Sequence, residues 1–333
     1  MMKLTFINVG YGEAVLVECP DAAYAGGTFT MLIDGGSAEA AEYADNNTGR
    51  TPTACFLKER GIDHIDLMVS SHIHEDHLCG LLPVAQQISV GRFWKSLPVE
   101  FWRKMPRLPL SLGPTTALQK QINAINDYRT LCSTLEAKGT KIFSLCASDK
   151  VYTLCQDLTL KVLAPSSKQV EQLVNMFLAV YQAADEDARR SALIKLDSAM
   201  NNFSLVLLPE YQGVRILLPG DTNRDGYAGI EGDIRAHIFK VGHHSQIDGI
   251  GLEKFEQIHP QYVVSCASSD RRFGSAHPEI LKMMSGKGAK LFFSDCPNVP
   301  PYTDGLLPHQ GVEFAIADGR ITPRYLVSQP ATK

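Results

Sequence analysis

The sequence has no CxxC pair, no long apolar run and no excess of basic charge, and each absence removes a class of protein. Its eight cysteines stand singly at 19, 55, 79, 132, 146, 155, 266 and 296, a scatter that suits neither a zinc knuckle nor a small disulfide framework and leaves free thiols as the expectation. No stretch reaches the roughly 18 consecutive apolar residues of a membrane-spanning helix. The first residues carry one lysine and an apolar patch interrupted by Asn8 and Gly10, which is not the pattern of a secretory leader, so a cytoplasmic protein without membrane insertion is expected. A formal net charge of −4 excludes a globally basic nucleic-acid binder and leaves room only for a local basic strip. Low-complexity linkers and short-period repeats are missing too, so residues 1–333 read as one α/β domain of two packed sheets with outer helices.

What is present is a strand grammar repeated twice. Alternation at 3–9 and 14–18, around the turn Gly10-Tyr11-Gly12, and a third run at 29–33 predict an antiparallel meander. Residues 38–60 have helical composition and stop at Arg60-Gly61, before an apolar strand at 65–70. Residues 81–135 mix helix and loop signals among five prolines. Strands are expected again at 141–145, 150–154 and 158–163, then at 204–208, 214–218, 236–241, 262–265, 290–293 and 312–316. Residues 167–198 lack glycine and proline and predict a helical insertion, and a further helix is expected over 278–287.

Directly after the strand at 65–70 comes SHIHEDH. If the backbone stays extended, His72 and His74 project to one side and can grip a single ion, while Asp76 and His77, at the start of a helix, can address a second. This spacing differs from HExxH, where both histidines share one helical face with a glutamate base. Four residues cannot fill two metal shells. Gly220-Asp221 ends another strand with an exposed carboxylate able to bridge two ions, and His243-His244 and His277 each stand beside a predicted strand or helix end. Asp34, ending the strand at 29–33, is a candidate to hold a metal-bound histidine by its outer nitrogen, with a plain strand-ending turn as the rival reading.

The segments FINVGYGEA (6–14), LIDGG (32–36), SSHIHEDHLCGL (70–81), VLAP (162–165), NNFSLVL (201–207), LLPGD (217–221), FKVGHHS (239–245) and HPEIL (277–281) resemble the metallo-β-lactamase superfamily. Within it they are similar to the metallo-hydrolase domain of the ComEC DNA-uptake proteins and their free-standing relatives. The resemblance implies an αββα sandwich, two mixed β-sheets flanked by helices, with two divalent ions, zinc or manganese, at one edge. It implies His72 and His74 on the first ion, Asp76 and His77 on the second, Asp221 between them and His277 completing the second site. Asp76, His243 and His244 then carry the catalytic roles: His243 or His244 faces substrate as proton donor or oxyanion stabiliser, with metal ligation the competing assignment. Two departures stand out. Asn201 or Asn202 occupies the place of a third histidine for the first ion, and Asn8 and Glu13 stand where related sequences tend to have aspartates.

The chemistry expected is hydrolysis by a metal-held hydroxide, on a phosphodiester or nucleic acid. Lactone, thioester or phosphorylcholine-ester hydrolysis, or a non-hydrolytic binding or regulatory subunit, are the alternatives. Arg92, Trp94, Trp102 and Arg103 lie in a stretch of aromatic and basic residues of the kind that lines a single-stranded nucleic-acid channel, and Arg271 and Arg272 could add phosphate contacts. The rival reading buries the tryptophans as anchors and leaves the cations on the surface. The sequence names no protein partner.

Overall fold

The computed structural model describes residues 1–45 and 47–327. The chain opens with β1 (Met2–Ile7), β2 (Val15–Pro20) and β3 (Thr28–Ile33), an antiparallel meander, then α1 (Thr53–Glu59) and β4 (His64–Val69). After α2 (Glu75–Leu78) and α3 (Leu81–Gln87) come β5 (Ser89–Lys95), the 22-residue α4 (Thr116–Ala137) and β6 (Lys141–Ser144). From β3 onward these strands pair in parallel. Then follow β7 (Val151–Cys155), β8 (Leu158–Ala164), the helical pair α5 (Ser167–Tyr181) and α6 (Glu186–Ala199), β9 (Val206–Tyr211), β10 (Val214–Leu217), α7 (Arg224–Tyr227), β11 (Ile238–Lys240), α8 (Leu252–Ile258), β12 (Tyr262–Ser265), α9 (Pro278–Gly286) and β13 (Lys290–Phe293). Finally β14 (His309–Ala317) and β15 (Arg320–Val327) return to the first sheet beside β1.

Two mixed sheets result, ordered β15-β14-β1-β2-β3-β4-β5-β6 and β13-β12-β11-β10-β9-β8-β7. Strand alternation explains how they stack. Leu67 and Val69 of β4 point between the sheets, with Phe6, Val17, Leu160, Leu207 and Ile216, whereas Met68 points to the outer layer containing α3, α4, α5 and α6. The second sheet buries Phe239 and Val263 on its outer face against α8 and α9. Strands buried on both faces read as near-continuous apolar runs, which is why β4 was visible in the sequence. The fold is thus mixed α/β, two mixed sheets flanked by helices.

Several elements depart from the sequence reading. Within 38–60 only α1 and a 3₁₀ turn at 40–43 are helical, and residue 46 lies outside the described residues. In 81–135, β5 and the long α4 emerge from what composition left mixed. Thr115 caps α4 by accepting the Leu118 N–H, directly after the last proline of that stretch. Residues 167–198, read as a helical insertion, form two helices, capped by Ser166 with Gln169 and by Asp185.

Candidate metal centre

The C-terminal end of β4 runs through Ser70 and Ser71 into an extended His74 that caps α2. The ring nitrogens His72 Nε2 and His74 Nδ1 meet at 3.1 Å. One turn on, α2 presents Asp76 and His77. From the other sheet, β10 ends at Pro219-Gly220, where Gly220 takes φ +55 and a Cβ would crowd Ser204 and Ser71 at 3.0 Å. Asp221 follows, buried. From β11 the chain passes Gly242 and bends through His243, His244 and Ser245, three consecutive non-glycine residues at φ +47, +50 and +59. Left-handed backbone costs each of them about 1–3 kcal/mol and persists only where surroundings impose it. Here they do: His277 and Ala276 donate N–H to the Ser245 and His244 carbonyls, and Ser245 Oγ bonds Ser265 Oγ at 2.8 Å.

The bend turns His244 inward. Its Nε2 lies 2.9 Å from Asp221 Oδ2 and 3.0 Å from Asp76 Oδ2, and His77 Nε2 lies 3.2 Å from Asp221 Oδ2. Asp76, His77, Asp221 and His244 therefore offer four donor atoms within 4.8 Å of one another, mostly buried, a set that could hold an ion. His72 and His74 sit beside it, the His72 and His77 rings 4.3 Å apart. The outward nitrogens of three rings are occupied: His72 Nδ1 by Ser71 Oγ at 2.9 Å, His77 Nδ1 by Asp34 Oδ2 at 2.8 Å, and His244 Nδ1 by the Cys266 carbonyl at 2.8 Å. Such contacts fix the tautomer and aim Nε2 inward. Asp34 is itself held by the Ser71 N–H and hydroxyl.

The electrostatics match a cation site. Burial, then the neighbouring His77 and His74, push His72 well below its usual pKa, leaving a free lone pair. Burial opposes charge on His244 as well, but Asp221 and Asp76 raise it to about 9. Asp76 and Asp221 thus share protons with His77 and His244 where a divalent cation would satisfy all four, and His72 stands beside them with its lone pair free, so the donor chemistry fits a divalent metal. Beneath lies Lys240, fully buried, its Nζ donating to Gly220 O at 2.7 Å and to Asp221 Oδ1 at 3.0 Å and pairing with Glu13. Burial disfavours that ammonium, yet Glu13 and Asp221 outweigh it and hold its pKa above the usual lysine range.

Over the group opens a cleft of about 420 Å³ lined by Tyr11, Lys120, Asn201, His243, Arg272 and Phe273 among others. His243 faces outward where His244 faces inward, and its Nδ1 contacts Asp248 Oδ1 at 2.8 Å. Tyr11 stacks 4.4 Å from the His244 ring, and Arg272, tied to Glu42 and Asp270, lies over Tyr11. A cleft of about 600 Å³ near Arg215, His237 and Lys287 is larger but brings no ligand group together.

The structure brings some of the residues named from the sequence into the group and leaves others outside it. His277 is not in the group: it is the residue before the Pro278 helix, its Nδ1 accepts the Glu279 N–H at 3.3 Å, and His244 occupies the place expected of it. Asn202 accepts the Asn223 N–H instead of facing the ligands, whereas Asn201 lines the cleft with a buried Oδ1 that has no hydrogen-bond partner. Trp94, 4% exposed, packs against Tyr152 between the sheets, and Trp102, 6% exposed, lies in the outer core, so neither offers a stacking face. Arg103 pairs with Glu100 and Glu136, Arg92 leans on Asp66 O, and Arg271 on Ser275 and Ala276 carbonyls. Of the named basic residues only Arg272 lines the cleft. Lys240 and Asp248 were missed by the sequence reading, which noted Glu13 only as standing where related sequences tend to have aspartate. A lysine closing the apolar strand Ile238-Phe239-Lys240 was the available signal for the first.

Residues 8–111 match the family model of the metallo-beta-lactamase superfamily, in agreement with the resemblance read from the sequence. Over 101 residues the chain is 28% identical to ComE operon protein 3 of Bacillus subtilis (strain 168), a match covering 29% of this chain and only 13% of that protein. Among solved structures it is similar to CmlA, a diiron beta-hydroxylase from Streptomyces venezuelae, with 13% identity, 86% of this chain and 52% of that one covered, and TM-score 0.42. It is also similar to Zn(2+)-bound PqqB from Methylobacterium extorquens, with 10% identity, 88% and 98% covered, and TM-score 0.39. Likenesses at these scores say nothing about substrate. No helix among the described residues is long and apolar enough to cross a membrane.

Proposed function

We propose that the chain is a hydrolase holding two divalent ions, zinc or manganese, and that its substrate is a phosphodiester. His72 Nε2 and His74 Nδ1, with Asn201 Oδ1 in place of a third histidine, would hold the first ion. Asp76, His77 and His244 would hold the second, and Asp221, in contact with His77 and His244, would serve as the carboxylate shared by both. An amide oxygen is a harder ligand than imidazole, which favours manganese at the first site more than a third histidine would. When bound, such ions acidify water and neutralise charge that develops on the reacting centre.

The chain's own residues do the rest. Lys240 holds Asp221 in position from below, and Asp34, Ser71 and the Cys266 carbonyl fix the rings. His243, backed by Asp248, is placed to hold a proton at Nε2 for the departing oxygen. The observation that carries the reading is this pairing of neighbours, His244 turned in to the ligand group and His243 turned out to the cleft. Arg272 and Lys120 also line the cleft, and both already face carboxylates. Glu42, Glu75, Asp76 and Asp197 share the lining, so the positive charge that a phosphodiester needs would come from the bound ions, and a diester with one charge per phosphorus suits such a cleft better than a more highly charged ester. The buried Trp94 and Trp102 withdraw the stacking strip of a nucleic-acid channel, so a small diester or a free chain end is the substrate that suits the cleft.

The test is elemental analysis of protein purified without added metal, then turnover of bis-p-nitrophenyl phosphate, a short single-stranded DNA, and lactone and thioester probes, beside Asp221→Ala. About two ions per chain and Asp221-dependent diester cleavage support the reading. Cleavage of the lactone or thioester alone moves the substrate class, and no ions with no turnover overturns the proposal.

A further inference from the structure

His74 is the one ligand-type ring of the group whose outward nitrogen is left without a hydrogen bond among the described residues. It is turned the other way from its neighbours: Nδ1 faces His72, and Nε2 points to the cleft wall, buried. The carboxylate paired with that nitrogen is Asp197, with Oδ1 at 3.5 Å. A movement of about half an ångström brings the pair to an ordinary hydrogen bond of ~2.9 Å.

Asp197 is out of place by the rules of its own helix. It stands in the last turn of α6, where unpaired carbonyls make the local potential negative, and no basic residue shares that turn. The acids at the start of the same helix, Glu186 and Asp187, are on the favourable end. Helix packing fixes where the carboxylate can go: Leu193 and Leu196 are buried against the core, and just beyond the helix Asn202 is tied to the Asn223 N–H at 3.2 Å. Between these anchors, Asp197 and Asn201 both line the cleft.

We infer that Asp197 is a positioning residue: it accepts a hydrogen bond from His74 Nε2 so that Nδ1 addresses the first ion, and it makes the α5–α6 helical pair part of the metal centre. The inference rests on the two-ion reading above. It places on His74 the same kind of outer contact that Asp34 gives His77, and a cation on Nδ1 makes Nε2–H a better donor.

The experiment is a cobalt(II) titration of metal-free protein, followed by visible absorption, for wild type, Asp197→Asn, Asp197→Ala and the same-helix control Asp187→Asn, with melting temperatures read with and without cobalt. The expected result is a first-ion affinity about 10–100-fold weaker in Asp197→Ala, an intermediate loss in Asp197→Asn, whose amide oxygen still accepts, and no change in the second ion or the control. Without cobalt, Asp197→Ala should melt no lower than wild type, because it removes a charge from the wrong end of a helix. Equal cobalt affinity, or an equal fall in melting temperature with and without the metal, overturns the inference. Wild type that binds no cobalt at all overturns the two-ion reading and this inference with it, a result distinct from two bound ions indifferent to Asp197.

Discussion

Lys240→Met gives the sharpest expectation for stability. The side chain is wholly buried, contacts Glu13 and Asp221, and donates to the Gly220 carbonyl. Methionine keeps its length and removes its charge, leaving Glu13 as a buried carboxylate without its ammonium. Removing one partner of a buried pair costs about 3–5 kcal/mol, because the other charge stays desolvated. With 333 residues and ~2.1 cal/mol/K each, the unfolding entropy is about 0.7 kcal/mol/K, so the melting temperature should fall by about 4–7 °C. The assay is calorimetry on metal-free protein. Burial already pushes the Glu13 carboxyl upward, so the deficit should shrink as pH falls and Glu13 takes up a proton. The double variant Lys240→Met/Glu13→Gln should recover at least half of the loss. A single variant indistinguishable from wild type, or a double variant no better than the single, would refute the reasoning.

Other expectations are more local. His243→Ala should slow hydrolysis of a diester with an alkyl leaving group by about 10²–10⁴-fold while barely affecting a p-nitrophenyl diester, whose leaving group needs no proton; equal losses on both would remove His243 from that role, and Asp248→Asn should show the same selectivity more weakly. Gly12 takes φ +139, and a Cβ there would sit 2.2 Å from the Asp76 carbonyl, so Gly12→Ala should lower both melting temperature and ion content, with about 1–3 kcal/mol from backbone strain alone. Normal ion content in that variant would show the turn to be looser than drawn. Burial lowers Lys95 to about 8, below its unfolded value, so the unfolded chain binds more protons between about pH 8 and 10.4 and stability from this group rises across that window. The difference in denaturation midpoint between wild type and Lys95→Met, measured at pH 7.5 and about 10, should therefore move in favour of wild type at the higher pH, and a constant difference would argue against a buried, neutralising lysine.

The strand β4 and the histidine and aspartate cluster at 72–77 could be seen in the sequence because burial on both faces leaves an unbroken apolar run and ligand-type residues cannot be mistaken for its continuation. The antiparallel meander could be seen for a similar reason, in that alternation and glycine turns coincide. The inward turn of His244, with His277 left outside the group, could not. It depends on three successive left-handed residues, a conformation that no propensity of histidine or serine announces and that Ser265, Ala276 and His277 impose from a distance. For Trp94 and Trp102 the sequence left anchoring and stacking both open, because composition is the same for either, and it is burial that decides for the anchor. Asp197 was hidden because its partner lies on another element, and a helix-end acid has meaning only once that neighbour is known.

The group draws Asp76 and His77, with His72 and His74 beside them, from the edge of one sheet and Asp221 and His244 from the other. Ions held there would fasten the two layers together while they serve chemistry, and occupancy would enter the folding equilibrium by mass action, about 2.7 kcal/mol for each ion at a hundredfold excess over its dissociation constant. The polypeptide would then carry a record of metal supply in its own persistence: protease digestion should proceed faster after chelation, with early cuts in the layer that has come loose. A hydrolase of the proposed kind, built this way, would register scarcity of its ion twice, as lost turnover and as shortened life.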